Sequence, residues 1–154
     1  MEENKKQAVV FDIDGTLVDV SKRLEVCQKE SKNKKEFWAC FLSERYLYLD
    51  LPIERTIKLL QKYWSEGVKI IIITGRTKNM EKYTLIQLSA FNIFWNEIYF
   101  REVNDFRKDY EYKSEILKKM KEKYEILFIV DDSEEVRKAA EGLGIKAIDP
   151  ALIS

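Results

Sequence analysis

The sequence predicts an α/β fold, an open parallel sheet with helices on its faces and a small helical insert. Three observations predict it. Short apolar runs rich in β-branched residues recur along the chain, continuous rather than alternating, as strands buried on both faces are. Segments with helical spacing fill the gaps between them. Several runs end in paired acids or in Thr-Gly, at the carboxyl ends of strands where open α/β sheets bind ligands.

In chain order, Ala8 to Phe11 is the first predicted strand and ends at Asp12. Val68 to Ile73 is the second and runs into Thr74-Gly75. Ile98 to Phe100 is a weaker third, Ile126 to Val130 a fourth ending in Asp131-Asp132, and Ile145 to Ile148 a short fifth. Ile53, Ile57, Leu60 and Trp64 share one helical face, with Pro52 in the first turn and Gly67 as the stop. Further helices are predicted from about Lys78 to Phe91 and from about Tyr112 to Lys123. Ser133 is an N-cap, Glu134 and Glu135 suit the first turn of the helix it starts, and Gly142 or Gly144 ends it. Residues 20 to about 50 interrupt the alternation. They carry Phe37, Trp38, Phe41, Tyr46 and Tyr48 and read as one or two helices inserted as a lid, the aromatics packing the insert onto the core in preference to touching a ligand. The 154 residues are expected to form a single domain, 1–154, large enough to bury a real core.

Composition excludes much chemistry. With no histidine there is no Ser-His-Asp triad, no Cys-His pair, no phosphohistidine and no HExxH zinc site. Acid–base work falls to carboxylates, Lys or Tyr. The 27 basic and 27 acidic side chains cancel, so no overall field draws the protein to nucleic acid or anionic lipid, though a local basic patch remains open. No apolar run approaches a membrane span, and Asp12 and Asp14 interrupt the one stretch that could serve a signal peptide. The expectation is a cytoplasmic protein without membrane contact. Cys27 and Cys40 are accordingly read as ordinary thiols rather than a disulfide.

Four signals carry chemistry. In Asp12-Ile13-Asp14-Gly15-Thr16-Leu17, two carboxylates sit two residues apart beyond a buried strand, with Gly15 permitting a sharp turn. Acids this close need a cation or a shared proton. Either arrangement suits phosphoryl transfer, one carboxylate attacking phosphorus and the other shuttling a proton. An EF-hand loop does not fit, since its sixth position needs Gly and its twelfth Glu, whereas Gly15 is fourth and Arg23 twelfth. Asp131-Asp132 is a second acid pair at a strand end, and one Mg2+ built from both strand ends would explain both pairs. Thr74-Gly75-Arg76 offers a hydroxyl, backbone amides and a guanidinium for a phosphate. Lys113, after Asp105-Phe106-Arg107-Lys108-Asp109, supplies a fixed cation. Each signal alone also has a plain reading as a turn, a cap or a solvated side chain.

The four signals together resemble the motifs of the haloacid dehalogenase (HAD) superfamily of phosphohydrolases over nearly the whole chain. That resemblance implies a Rossmann-like, HAD-type sheet. It implies Asp12 as nucleophile, forming an aspartyl-phosphate, and Asp14 as the acid that protonates the leaving alcohol and then activates water. Thr74 would bind the phosphoryl oxygens and Lys113 stabilise the phosphoaspartate. Asp12, Asp131, Asp132 and the backbone carbonyl of Asp14 would hold Mg2+. An acid at position 14 speaks against dehalogenation. The stretch Arg101 to Lys113, and the Leu51-Pro52 helix leading to Thr74-Gly75-Arg76, are similar to the 3'-phosphatase domain of polynucleotide kinase-phosphatases, which implies Arg76 and Arg107 as phosphate contacts beside the Gly75 amide of the cradle. The kinase P-loop GxxxxGK[ST] is missing. The expected substrate is a phosphorylated one: a nucleic-acid 3' end first, a nucleotide or other small phosphomonoester as the alternative. A phosphotransferase is disfavoured by the small cap, and a non-catalytic binding protein by the complete motif set.

Overall fold

The computed structural model describes residues 4–154. The alternation of runs and periodic segments becomes five parallel strands in the order β5-β4-β1-β6-β7. They are β1 (Lys6–Phe11), β4 (Lys69–Thr77), β5 (Glu97–Arg101), β6 (Tyr124–Val130) and β7 (Ala147–Ile148). The strands with the longest apolar runs, β4, β1 and β6, occupy the centre. Ala8, Val9, Val10 and Phe11 are all fully buried because both faces of β1 are covered. Residues of alternate parity feed two cores. Val9, Phe11, Ile70 and Ile72 pack with Ile57 and Leu60 of α3 (Glu54–Ser65) and Leu88 of α4 (Glu81–Ala90). Ala8, Val10, Ile71 and Ile73 pack with Leu117 and Met120 of α5 (Asp109–Lys123) and Val136 and Ala140 of α6 (Glu134–Gly142).

Residues 20–50 hold α1 (Ser21–Glu30), α2 (Lys34–Phe41) and a single 3-10 turn, Leu47–Leu49. The segment leaves and returns through a two-stranded antiparallel ladder, β2 (Val18–Asp19) against β3 (Leu51–Pro52), so both of its ends are anchored at one place.

Three sequence expectations change. Pro52 pairs with Val18 instead of opening α3. The Ile53 N–H bonds Leu17 O at 2.9 Å, which holds this stretch extended until Glu54. β4 runs past Ile73 through the Thr74-Gly75-Arg76 segment, with an irregular register against β5. Cys27 and Cys40 are not free thiols but form a disulfide. Packing of α1 on α2 brings their Cα atoms within 5.6 Å, a separation that sequence spacing could not reveal. The Ser133 cap forms as expected, its hydroxyl accepting from Val136 N at 3.3 Å. No helix among the described residues is long and apolar enough to cross a membrane.

Candidate active site

The carboxyl ends of β1, β4, β5 and β6 open into a cavity of about 780 Å³. Its floor holds Asp12, Asp14, Thr74, Gly75, Lys113 and Asp132, so residues from four separate stretches converge. Asp12 follows β1 directly and is 5% exposed. Its backbone N–H bonds Val130 O at 3.0 Å, which keeps the chain in the sheet up to this carboxylate. Thr16 Oγ1 lies 3.3 Å from Asp12 Oδ2, and Lys113 Nζ donates to Asp12 Oδ1 at 2.9 Å.

Lys113 is buried; its ammonium donates to Asp12 and to Asp131 Oδ2 at 2.8 Å, and Asp109 Oδ2 stands 3.0 Å from it as a third ion-pair partner. Burial opposes its charge, but these carboxylates more than offset that and raise its pKa well above the lysine range. Among the described residues, Lys113 alone forms ion pairs with Asp12 or Asp131. Burial, with the neighbouring Asp131, pushes Asp12 well above the ordinary carboxylate range, despite Lys113. Burial and Asp131 also raise Asp132.

Oxygens of Asp12, Asp131 and Asp132 lie within 4.8 Å of one another. This is a hard, all-oxygen donor set carrying more negative charge than one lysine neutralises, and it fits a small divalent cation such as Mg2+. The Asp14 carboxylate is outside that group, so any metal contact of Asp14 falls to its backbone carbonyl.

Asp14 instead meets two buried guanidiniums. Arg76 Nε donates to Asp14 Oδ1 at 2.9 Å, and Arg23 Nη2 lies 3.3 Å from the same oxygen. Burial would raise Asp14, but Arg76 and then Arg23 outweigh it and hold the carboxyl below its ordinary pKa. Both arginines also bind the buried Asp50, Arg23 through Nε at 3.1 Å and Arg76 through Nη2 at 3.1 Å. Thr84 and Gln87 of α4 accept from Arg76 Nη1.

Arg76, expected at a phosphate, has a fully buried side chain that pairs with Asp14 and Asp50 and is not among the residues lining the cavity. Arg107 does line the cavity, but at its rim. There it pairs with Asp105 at 2.7 Å and with Glu115, and its hydrogen bonds drop Asp105 to about 2. Thr74 Oγ1 accepts the Arg76 backbone N–H at 3.0 Å, which leaves its own hydrogen to donate. Gly75 lies against Asp109, where a Cβ would meet Asp109 Oδ1 at 2.8 Å.

Sequence reasoning missed Arg23 and Asp50. Both lie in the unplaced insert, and nothing in their spacing ties them to Asp14. A hint was available in Arg23 itself, a charged residue among the turns of a helix whose face includes Cys27. The aromatics also differ from expectation. Trp38 and Phe41 line the cavity, and Trp38 is 52% exposed, so they do more than pack the insert onto the core.

Gly15 makes the first motif possible. It has φ +80°, and a Cβ there would stand 2.1 Å from Asp132 Oδ2. Gly15→Ala is expected to cost about 1–3 kcal/mol through the left-handed backbone and to push Asp132 out of the acid cluster. A thermal melt combined with the Mg2+ dependence of phosphate release checks both parts. An unchanged melting temperature and unchanged metal dependence would contradict the geometry.

The fold and this convergence of strand-end residues are of HAD type. The sequence profile of the HAD superfamily, subfamily IIIB (acid phosphatase), matches residues 1–138, and the chain belongs to that family. Solved structures share the fold. A chain of the Pnkp1/Rnl/Hen1 complex is 23% identical, with a TM-score of 0.73 over 96% of this chain and 47% of that one. The class C acid phosphatase from Bacillus anthracis, solved with tungstate bound, is 21% identical, with a TM-score of 0.64 over 95% and 66%. A haloacid dehalogenase-like hydrolase from Streptococcus pneumoniae is 17% identical, with a TM-score of 0.68 over 92% and 83%. This chain spans under half the length of the Pnkp1/Rnl/Hen1 complex chains that it matches. No curated protein matches the sequence.

Proposed function

We propose that this phosphatase is a Mg2+-dependent phosphomonoester hydrolase that works through an aspartyl-phosphate on Asp12. One observation carries the reading: a buried strand-end carboxylate, Asp12, stands in an acid triangle that a single lysine leaves short of positive charge.

Asp12, Asp131, Asp132 and the backbone carbonyl of Asp14 would hold the cation, which when bound offsets negative charge building on the phosphoryl oxygens. Thr74 O–H and Lys113 orient the phosphoryl group over Asp12. An Asp12 carboxylate oxygen attacks phosphorus, the ester P–O bond breaks, and Asp14 gives its proton to the departing alkoxide. Asp14, now a carboxylate, takes a proton from water. That water oxygen attacks phosphorus, the Asp12–phosphate bond breaks, and phosphate leaves.

The two guanidiniums favour the carboxylate form of Asp14 and so suit the second half of this sequence directly. In the first half an arriving phosphate dianion beside Asp14 opposes that effect and favours the protonated form.

A 3'-phosphorylated nucleic-acid end is the first substrate reading. The open cavity, with Trp38 at its wall and Arg107 at its rim, supports it, as does the fold likeness to the Pnkp1/Rnl/Hen1 RNA repair complex. The second reading, a nucleotide or other small phosphomonoester, is favoured by the acid phosphatase family profile. In both, residues 20–50 act as the cap of a single domain. A cytoplasmic location belongs to the same proposal. There the Cys27–Cys40 bridge would be conditional, because thiol pools keep most cysteines reduced.

The test is phosphate release from 3'- and 5'-phosphorylated oligonucleotides, nucleoside monophosphates and an aryl phosphate, with Mg2+ and with chelator. The expected result is release that falls at least a hundredfold in chelator and returns with Mg2+, consistent with several kcal/mol of metal-supplied charge stabilisation. Preference for the 3' end selects the first reading, and turnover of small phosphates alone selects the second. Release that ignores the chelator would sink the metal assignment.

A further inference from the structure

We propose that the Cys27–Cys40 disulfide is a redox-sensitive latch that holds α2 as a wall of the substrate cavity. The proposal rests on the phosphatase reading above for what α2 faces. Lys35, Trp38 and Leu42 lie three and four residues apart, so they share one helical face, and that face lines the cavity together with Phe41. Cys40 is two positions from Trp38, about 200° around the helix, on the side turned back toward α1. The bridge therefore fastens the rear of a helix whose front meets the substrate.

Besides the bridge, α2 rests on α1 through half-buried side chains. No residue of α2 is buried, whereas Cys27 is fully buried in α1, the helix that Arg23 locks to Asp14 and Asp50. Phe37, Trp38 and Phe41 pack on one another. The noncovalent ties gather at the C-terminal end of α2. Arg23 Nη1 donates to Phe41 O at 2.6 Å and its guanidinium stacks on the Phe41 ring, while Asn79 donates to Leu42 O at 3.0 Å. Cys40 lies at that same end, so with the bridge open only the Phe41 and Leu42 ties hold it, and α2 is freer to shift and carry Lys35 and Trp38 with it.

Opening is a two-electron reduction. A dithiol reductant breaks the S–S bond, each protein sulfur gains a proton, and the dithiol becomes its own disulfide. The floor of the site is untouched, since Asp12, Asp14, Thr74 and Lys113 lie outside the insert. Reduction should therefore weaken binding of bulky substrates without altering chemistry on small ones.

The experiment compares oxidised protein with protein reduced by dithiothreitol, reduction being verified by alkylation of both thiols. Amide hydrogen exchange across α2 should quicken about tenfold, in line with a typical coupling between two states. KM for a 3'-phosphorylated oligonucleotide should rise by a similar factor, while kcat and KM for an aryl phosphate stay within about twofold. The double variant Cys27→Ser with Cys40→Ser should match the reduced protein and ignore the reductant. Unchanged exchange overturns the latch, and faster exchange with unchanged oligonucleotide KM overturns its link to substrate. If neither substrate is hydrolysed in either state, the phosphatase reading fails, and the exchange comparison still decides the latch.

Discussion

Asp12→Asn is expected to lower phosphate release by a thousandfold or more while leaving the fold intact. The amide is isosteric with the carboxylate but a far weaker nucleophile, so the covalent step loses its attacking atom; losses of this size follow removal of a nucleophile elsewhere. Stability should hold or rise. Burial first, and then the charges of Asp131, Asp132 and Asp109, push the Asp12 pKa up, and a neutral side chain removes both penalties. The oxygen of the substituted amide can still accept from Lys113. The melting temperature in chelator is therefore expected to equal or exceed that of the parent, and the gap should close as Mg2+ is added, because the parent gains from the cation and the variant less so. Substantial release from Asp12→Asn would overturn the nucleophile assignment. A collapsed fold would show that the carboxylate is needed for structure.

The second large effect is on stability and lies outside the cavity. Asp50→Ala is expected to destabilise the fold by about 3–5 kcal/mol, the usual cost of breaking a buried ion pair from one side. Asp50 is the shared acceptor of Arg23 and Arg76, whose side chains are fully buried, and its loss leaves the two guanidiniums with Asp14 as their one remaining carboxylate among the described residues. Arg23 belongs to α1, Asp50 follows the 3-10 turn, and Arg76 belongs to β4, so the same change unfastens the insert from the sheet. Denaturant unfolding measures the loss. Activity should fall as well, because Asp14 would be drawn into the vacated position. A cost below about 1 kcal/mol would place Asp50 among the weakly coupled surface acids and dissolve the network.

The sheet and the residues at its strand ends are legible in the chain because they depend on local pattern. Continuous β-branched runs bury strands on both faces, and an acid directly after such a run must stand at a strand end. Asp12, Asp131 and Asp132 stand out on that basis and Thr74 by the run before it, whereas Lys113 rests on the need for a fixed cation and on the resemblance. The extended Pro52 was misread because its helix-opening chemistry competes with a ladder to Val18, a partner 34 positions away. Arg76 was assigned to phosphate because a guanidinium in a phosphate-cradling turn can reach several places. Which one it reaches depends on Asp50 and Gln87, neither close in sequence.

The sequence alone thus determined the alternation of strands and helices and the kind of chemistry, since periodicity, strand-end acids and the lack of histidine are properties of the chain itself. Tertiary structure decided the partners. The clamp of Arg23 and Arg76 on Asp14, the bridge between Cys27 and Cys40, and the turn of Trp38 toward the cavity all follow from how the insert folds back over the sheet. Pairings across such distances are set by three-dimensional packing, in which residues remote along the chain share one buried volume, and no local spacing records them.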